Sequence, residues 1–244
     1  MIDQNEVVSL VLAGQTPPDA WLPHITELRL ERARIGDLRV LAALTGLQRL
    51  VLSHTLVSDI APLAALTGLR RLELTRSRVA DLSALASLTK LQSLHLSFTP
   101  VSDLRPLASL VDLEGCFLTG TLVEDASPLA GLHRLERLDL GDTVVRDAAP
   151  LARLCRLRSL DLSGTRITDV APLAGLTRLQ YLDLTGTHVT DLSPLAALSD
   201  LRRLDLRSTR ADPSVLAQLA RCQIITTASL PRRRLAAMQA RGAP

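Results

Sequence analysis

Three side chains near the middle of the chain supply an acid, a base and a nucleophile by type: Glu73, His95 and Ser97. Glu73 and His95 stand 22 residues apart and share one position of a repeating pattern, which sets them on neighbouring strands. Acyl transfer also needs an oxyanion donor set and an enclosed cleft. His95 and Ser97 share one flat sheet face with neither, so the trio points away from catalysis. The five histidines, His24, His54, His95, His133 and His188, occupy different positions of the pattern and show no metal-ligand spacing. Gly164 and Gly186 follow strands but belong to the repeat turn, not to a phosphate-cradling loop.

Binding chemistry is better represented. Phe98, Phe117 and Tyr181, the only phenylalanines and tyrosine, fall on strand-face or strand-edge positions, and His95 is expected beside Phe117 one rung away. Exposed aromatics grouped on one face are the composition of an interaction hot spot. The alternative is packing, with Phe98 tucked into the turn after its strand and Phe117 compensating for Gly115 and Cys116. A file of like charges, Asp139, Asp161, Asp183 and Asp205, recurs at the same 22-residue spacing. Carboxylates on adjacent parallel strands repel, which would favour a basic partner. The alternative is a solvated face neutralised at its ends by Arg137, Arg203 and Arg207. Calcium fits poorly, because it wants about six to eight oxygens converging from flexible loops.

The elements that must position these groups come from one 22-residue phrase, clearest at Leu176 to Ala197 as LTRLQYLDLTGTHVTDLSPLAA. Its opening leucine recurs without a gap as Leu22, Leu44, Leu66, Leu88, Leu110, Leu132, Leu154, Leu176 and Leu198. Such self-similarity means one supersecondary unit stacked on itself. The seventh and ninth positions form L-x-L, as in Leu160 and Leu162, so alternate side chains face one way across a short strand, and one strand per repeat predicts a parallel sheet. A Thr or Ser follows in eight of nine copies, Ala33 being the exception, and its hydroxyl is expected to satisfy the neighbouring loop. Next comes an aspartate, read as the N-cap of a short helical turn with proline in its first turn, as in Asp59 with Pro62 and Asp191 with Pro194. An all-alanine column, Ala42 through Ala196, implies close packing between adjacent turns. Seven or so apolar positions per copy offer roughly 10 to 20 kcal/mol against roughly 20 to 40 kcal/mol of backbone ordering. Stability must therefore come from the stack.

This pattern, LxxLxxLxLxxTxVxDLxPLAx over residues 22 to 219, resembles leucine-rich repeats of the 22-residue type found in bacterial internalins. The resemblance implies an α/β solenoid: a right-handed horseshoe with a parallel concave sheet, short convex helical turns, and partner binding mostly by the concave surface. Thr or Ser stands where the family usually has Asn, a lesser hydrogen-bonding group.

The organisation expected is an N-terminal helical cap over residues 1–21, nine repeats over 22–219, and a C-terminal cap over 220–244 with a strand after Cys222 and a basic helix. Asn5 is the expected cap of the first helix, which Gly14 stops. A helix is also expected from Pro213, and Ser229 is expected to cap the basic helix that carries Arg232, Arg233 and Arg234. The net charge of +3 is modest for 244 residues and makes no electrostatic case for nucleic acid by itself. Arginines of the early repeats set against the aspartate file suggest a face basic toward its start and acidic toward its end. Cys116 and Cys222 occupy core positions, so the three cysteines read as small hydrophobes. The apolar run from Val7 to Ala13 is too short to span a bilayer and lacks a basic segment before it, which makes cytoplasmic the expected location.

The leading expectation is a non-enzymatic module that binds another protein, one with a basic patch being a natural complement, with no cofactor, metal or small-molecule substrate. Its site comprises His95, Phe98, Phe117, Asp139, Asp161, Tyr181, Asp183 and Asp205. The rivals are a nucleic-acid or anionic-surface binder using the early arginines and Arg232 to Arg234, and a recognition or inhibitory subunit of an enzyme complex.

Overall fold

The computed structural model describes residues 2–211 and 222–226. The helix expected from Pro213 and the basic helix with Arg232 to Arg234 lie outside the described residues. Ten three-residue strands form one parallel sheet in chain order. They are β1 (Glu27–Arg29), β2 (Arg49–Val51), β3 (Arg71–Glu73), β4 (Ser93–His95), β5 (Gly115–Phe117), β6 (Arg137–Asp139), β7 (Ser159–Asp161), β8 (Tyr181–Asp183), β9 (Arg203–Asp205) and β10 (Gln223–Ile225). The register pairs equivalent repeat positions, Arg29 with Val51, Val51 with Glu73, and so on to Asp183 with Asp205. The strand expected after Cys222 is β10, where Gln223 pairs with Arg203. That last step is two residues shorter than a full repeat.

The L-x-L leucines point into a single continuous core, in which Leu160, Leu162, Leu182 and Leu184 are all fully buried. At one end the helix α1 (Gln4–Leu12) turns Val7 and Val11 into that core. Its cap is Asp3, whose carboxylate accepts from the Asn5 N–H at 2.9 Å, and not Asn5 as expected. Gly14, at a φ of 72°, ends it in the left-handed conformation that glycine adopts without steric cost.

Two expectations about the turns are corrected. The threonine hydroxyls bond within their own repeat and not to the neighbouring loop: Thr99 Oγ1 donates to the Leu96 carbonyl at 2.6 Å and Thr165 Oγ1 to Leu162 at 2.5 Å. The cause is the residue just before. Arg32, His54, Arg76, Phe98, Gly120, Asp142, Gly164, Gly186 and Ser208, one per repeat, all have positive φ, which swings the next hydroxyl under the carbonyl three residues back. Six of these nine are not glycine, and each such residue costs about 1 to 2 kcal/mol in isolation. The cost is offset because each backbone N–H from Arg32 to Gly186 donates across to the next repeat, as from Phe98 to the Thr119 carbonyl at 2.7 Å.

The repeat aspartates cap from one position earlier than an N-cap. Asp59 accepts from the Ala61 N–H and Asp191 from the Ser193 N–H, both at 2.8 Å, while Ile60 and Leu192 hold the N-cap places. The turns they start are tight 3-10 turns of three to five residues, such as Ala61–Ala65 and Ser127–Leu129. In so short a turn an Asx bond two residues forward meets the first free N–H. Adjacent turns approach closely at the alanine column, where Ser87 and Ser109 hydroxyls reach the Ala64 and Ala86 carbonyls at 3.0 Å.

Candidate functional site

Each strand presents two outward side chains, the sixth and eighth of its repeat, on the concave sheet. Over β1 to β3 five of the six are charged and paired, the sixth being the buried Val51. Arg49 reaches Glu27 at 3.5 Å and Glu73 at 3.1 Å, Arg71 reaches Glu73 at 2.8 Å, and Arg29 reaches Glu27 at 2.5 Å. The basic end expected for this face is therefore a paired ladder, three arginines sharing two glutamates. Burial raises the Glu73 carboxyl, but hydrogen bonds from Arg71 and Arg49 outweigh it and hold the group below the ordinary range.

Over β4 and β5 the face becomes aromatic. The rings of His95 and Phe117 stack with centroids 4.3 Å apart and planes 16° from parallel. Register puts them opposite each other on adjacent strands. Gly115 leaves room for the Phe117 ring: a Cβ there would lie 3.2 Å from it, a tight contact that the ring would have to shift to relieve. His95 Nε2 lies 3.1 Å from Ser93 Oγ. Burial lowers the His95 pKa, and Glu73 pulls it back only partly, so the neutral imidazole dominates at pH 7. The serine brought to this histidine is thus Ser93, not Ser97, and the nearby Glu73 carboxylate is engaged by two arginines.

Phe98 stands apart. It lies in the turn at a φ of 58°, and the residue is 49% exposed. The ring is covered on one side by the Arg76 guanidinium, 4.8 Å from the centroid. It also occupies space that a side chain at Gly120 would need, since a Cβ there would sit 2.7 Å from it. Among the described residues no ring contact joins Phe98 to the His95–Phe117 pair. The sequence signal for both arrangements is a glycine beside an aromatic: Gly115 two residues before Phe117, and Gly120 one repeat after Phe98.

From β6 to β9 the aspartate file is far from bare. Asp139, Asp161 and Asp183 each accept from the backbone N–H two residues on, at 3.0, 2.8 and 2.8 Å. The Tyr181 hydroxyl donates to Asp183 at 2.9 Å. Its pKa is pushed up to about 12, by burial first and then by that bond, so it stays a donor. Asp205 is fully buried and accepts from Thr185 at 3.0 Å and Arg207 Nε at 2.9 Å. Of the three arginines expected to neutralise the file, Arg207 pairs with Asp205 and Arg203 lies over the Tyr181 ring at 5.6 Å. Arg137 makes no ion pair among the described residues. No cluster of three metal-ligating side chains occurs among the described residues. A hollow of about 430 Å³ between α1 and β1 is lined by Gln4, Asn5, Val8, Glu27 and Arg29.

None of the cysteines is paired. Cys116 and Cys222 are buried, their thiols pushed up to about 12 and about 11 by burial, whereas Cys155 is exposed on a loop. No helix among the described residues is long and apolar enough to cross a membrane.

The family model for leucine-rich repeats in two copies matches residues 155–197. No curated protein sequence matches the chain. An internalin (inlF) from Listeria monocytogenes superposes with a TM-score of 0.84 at 30% identity, over 90% of this chain and 66% of that one. A second Listeria monocytogenes internalin, inlC2, gives 0.77 at 32% identity, over 83% of this chain and 91% of that one. A leucine-rich repeat protein of Leptospira interrogans shares the fold at 0.79 and 20% identity, over 86% of this chain and 57% of that one. This chain thus spans just under two thirds of the first relative's length and nearly all of the second's. With the unbroken 22-residue register, the parallel sheet and the 3-10 turns, these likenesses show that the chain belongs to the leucine-rich repeat family, in its internalin-like branch.

Proposed function

We propose that the chain is a non-enzymatic recognition module that binds a partner protein across its concave sheet, anchored on the His95–Phe117 shelf. The observation that carries this reading is the shelf itself: two stacked, half-buried rings between a ladder of ion pairs on one side and the aspartate file on the other. Leucine-rich repeat solenoids are generally protein–protein interaction modules. Rigid aromatics with an apolar face and a polar rim are the usual energetic centre of such contacts. On one side the partner meets Glu73 and its arginines; on the other it meets Tyr181 and the half-buried carboxylates of Asp139 and Asp161, which suit a basic patch, while the buried Asp183 and Asp205 support that end of the face from beneath. Phe98 extends the contact over the edge of the sheet. The Ser93–His95 pair is read as a positioning bond for the shelf, because the adjacent carboxylate serves arginines instead. The three unpaired cysteines support a reducing, cytoplasmic setting; recovery from source cells only in the oxidising extracellular fraction would refute that.

Affinity capture from native extract, quantified by mass spectrometry, tests the site. Phe117→Ala should cut recovery of the wild-type partner by about tenfold or more, and Phe98→Ala by less, with circular dichroism and melting unchanged. Equal recovery by the folded Phe117→Ala protein would remove the shelf from the interface.

A further inference from the structure

The concave sheet is not the most unbalanced surface of the molecule. On the loop edge that enters the strands, the third and fifth positions of repeats six to nine carry Arg134, Arg156, Arg158, Arg178 and Arg202 against two acids, Glu136 and Asp200. The same positions of repeats one to five carry one arginine, one lysine, one histidine and two acids. Two of the five arginines are engaged: Arg134 pairs with Asp112 at 2.6 Å and Arg158 reaches Glu136 at 3.6 Å. Arg156, Arg178 and Arg202 are exposed and have no acid within ion-pair range among the described residues.

The backbone fixes how close they stand. Gln180 N–H donates to the Arg158 carbonyl at 2.8 Å and Arg202 N–H to Gln180 at 2.9 Å, so the fifth positions sit on successive rungs. The Arg134–Asp112 pair shows that third-position side chains reach across one rung. Arg156 and Arg178 occupy neighbouring rungs of that column, and like charges at rung spacing repel. Beside them Arg158, Arg178, Gln180 and Asp200 line a hollow of about 160 Å³, room for a carboxylate with its first waters. An anionic group placed there relieves the repulsion and can accept bidentate hydrogen bonds from a guanidinium.

We propose that this edge is a second docking surface, for an acidic segment of a partner protein, seated on Arg156 and Arg178 with one carboxylate in the hollow beside Arg158. It is separate from the aromatic shelf and does not depend on it. A nucleic acid fits less well. Its phosphates run continuously, about one charge per 1.7 Å of duplex, whereas the unpaired arginines span three rungs, roughly 10 Å, with Glu136 on the rung before them and Asp200 among them. Single strands also want aromatic stacking platforms, and the third and fifth positions hold none.

The test uses the full chain and a fluorescein-labelled oligoglutamate peptide, followed by anisotropy at low and physiological salt, with labelled oligothymidylate as the competing probe. The peptide should bind with an affinity that falls with salt. Arg156→Glu with Arg178→Glu should weaken it by about tenfold or more, and Asp200→Asn should strengthen it. Arg78→Glu with Arg166→Glu makes the same change of net charge on the opposite edge and should leave binding intact. If the first double variant melts early, Arg156→Ala with Arg178→Ala replaces it. Absence of peptide binding, equal loss from the opposite-edge variant, or tighter binding of oligothymidylate than of oligoglutamate would each overturn the proposal.

Discussion

Glu73 and Asp161 occupy the same position of two repeats, face the same way from the same sheet, and titrate in opposite directions. Burial raises both carboxyls. For Glu73, Arg71 on its own strand and Arg49 on the previous one donate to it and bring it below the ordinary range. For Asp161, the Ser163 hydrogen bonds are too little against burial reinforced by Asp139 and Asp183 on the flanking strands, and it stays above that range. The difference teaches that the repeat delivers a carboxylate to a fixed point and the next rung decides what it does there. Among the described residues, each half of the sheet also leaves a buried polar atom without a hydrogen-bond partner, Arg49 Nε in the paired half and Asp205 Oδ2 in the acidic half.

The acidic half is most sensitive where it is most buried. Asp205→Ala removes the acceptor for the Arg207 backbone N–H, the Arg207 guanidinium and the Thr185 hydroxyl. The expected loss is about 2 kcal/mol, since charged hydrogen bonds are worth more than neutral ones while the orphan oxygen already costs something. Chemical denaturation should report it. Hydrogen exchange should accelerate first at Leu206 and Gly186, whose N–H groups tie this rung to its neighbours, Leu206 to Ile225 and Gly186 to Arg207. A loss below about 0.5 kcal/mol would mean that Asp205 is solvated like an ordinary surface acid.

Most of this comparison was legible in part. The 22-residue leucine phrase fixes the strand register, and with it the alignment of Glu73, His95, Phe117 and Asp161 in one file, because L-x-L admits one inward face. What escaped were side-chain choices on that frame. Arg49 and Arg71 were readable as basic residues, but their convergence on Glu73 needs rotamers that spacing does not specify. Ser93, not Ser97, meets His95 for a different reason. Ser97 lies beyond the strand, next to the left-handed residue Phe98, where the chain is already turning away. That conformation hides from sequence too, since Arg, His, Phe, Asp and Ser fill it as well as Gly. Of the two readings of Phe98, a strand-edge aromatic or a residue of the turn, the turn placement is the one found, with Arg76 over the ring.

In the paired half, Glu73→Gln breaks two partly buried ion pairs and should cost about 1 kcal/mol at neutral pH. A carboxyl held below its unfolded value stabilises the fold above that unfolded value and ceases to as pH falls through the lowered one. Wild type and variant should therefore differ at pH 7 and converge in acid below the ordinary glutamate range, near 4.3. Melting curves across that window check it. A cost that persists unchanged into acid would assign the effect to packing and not to charge.

Asp161→Asn is the smallest effect and the most diagnostic, because its sign is reversed. The amide keeps an oxygen to accept from the Ser163 N–H and removes the middle charge between Asp139 and Asp183. A gain of about 0.5 kcal/mol is expected at pH 7, the scale of like charges opposed across strands. With its folded pKa raised, the wild-type carboxyl is no liability below its unfolded value and becomes one as pH rises through the folded value. The advantage of asparagine should thus shrink as pH drops toward the ordinary aspartate range, near 3.9. If asparagine instead destabilises at pH 7, the Ser163 bond outweighs repulsion along the file. Asp139, Asp161 and Asp183 would then be three independent Asx turns with no electrostatic coupling for a basic partner to relieve.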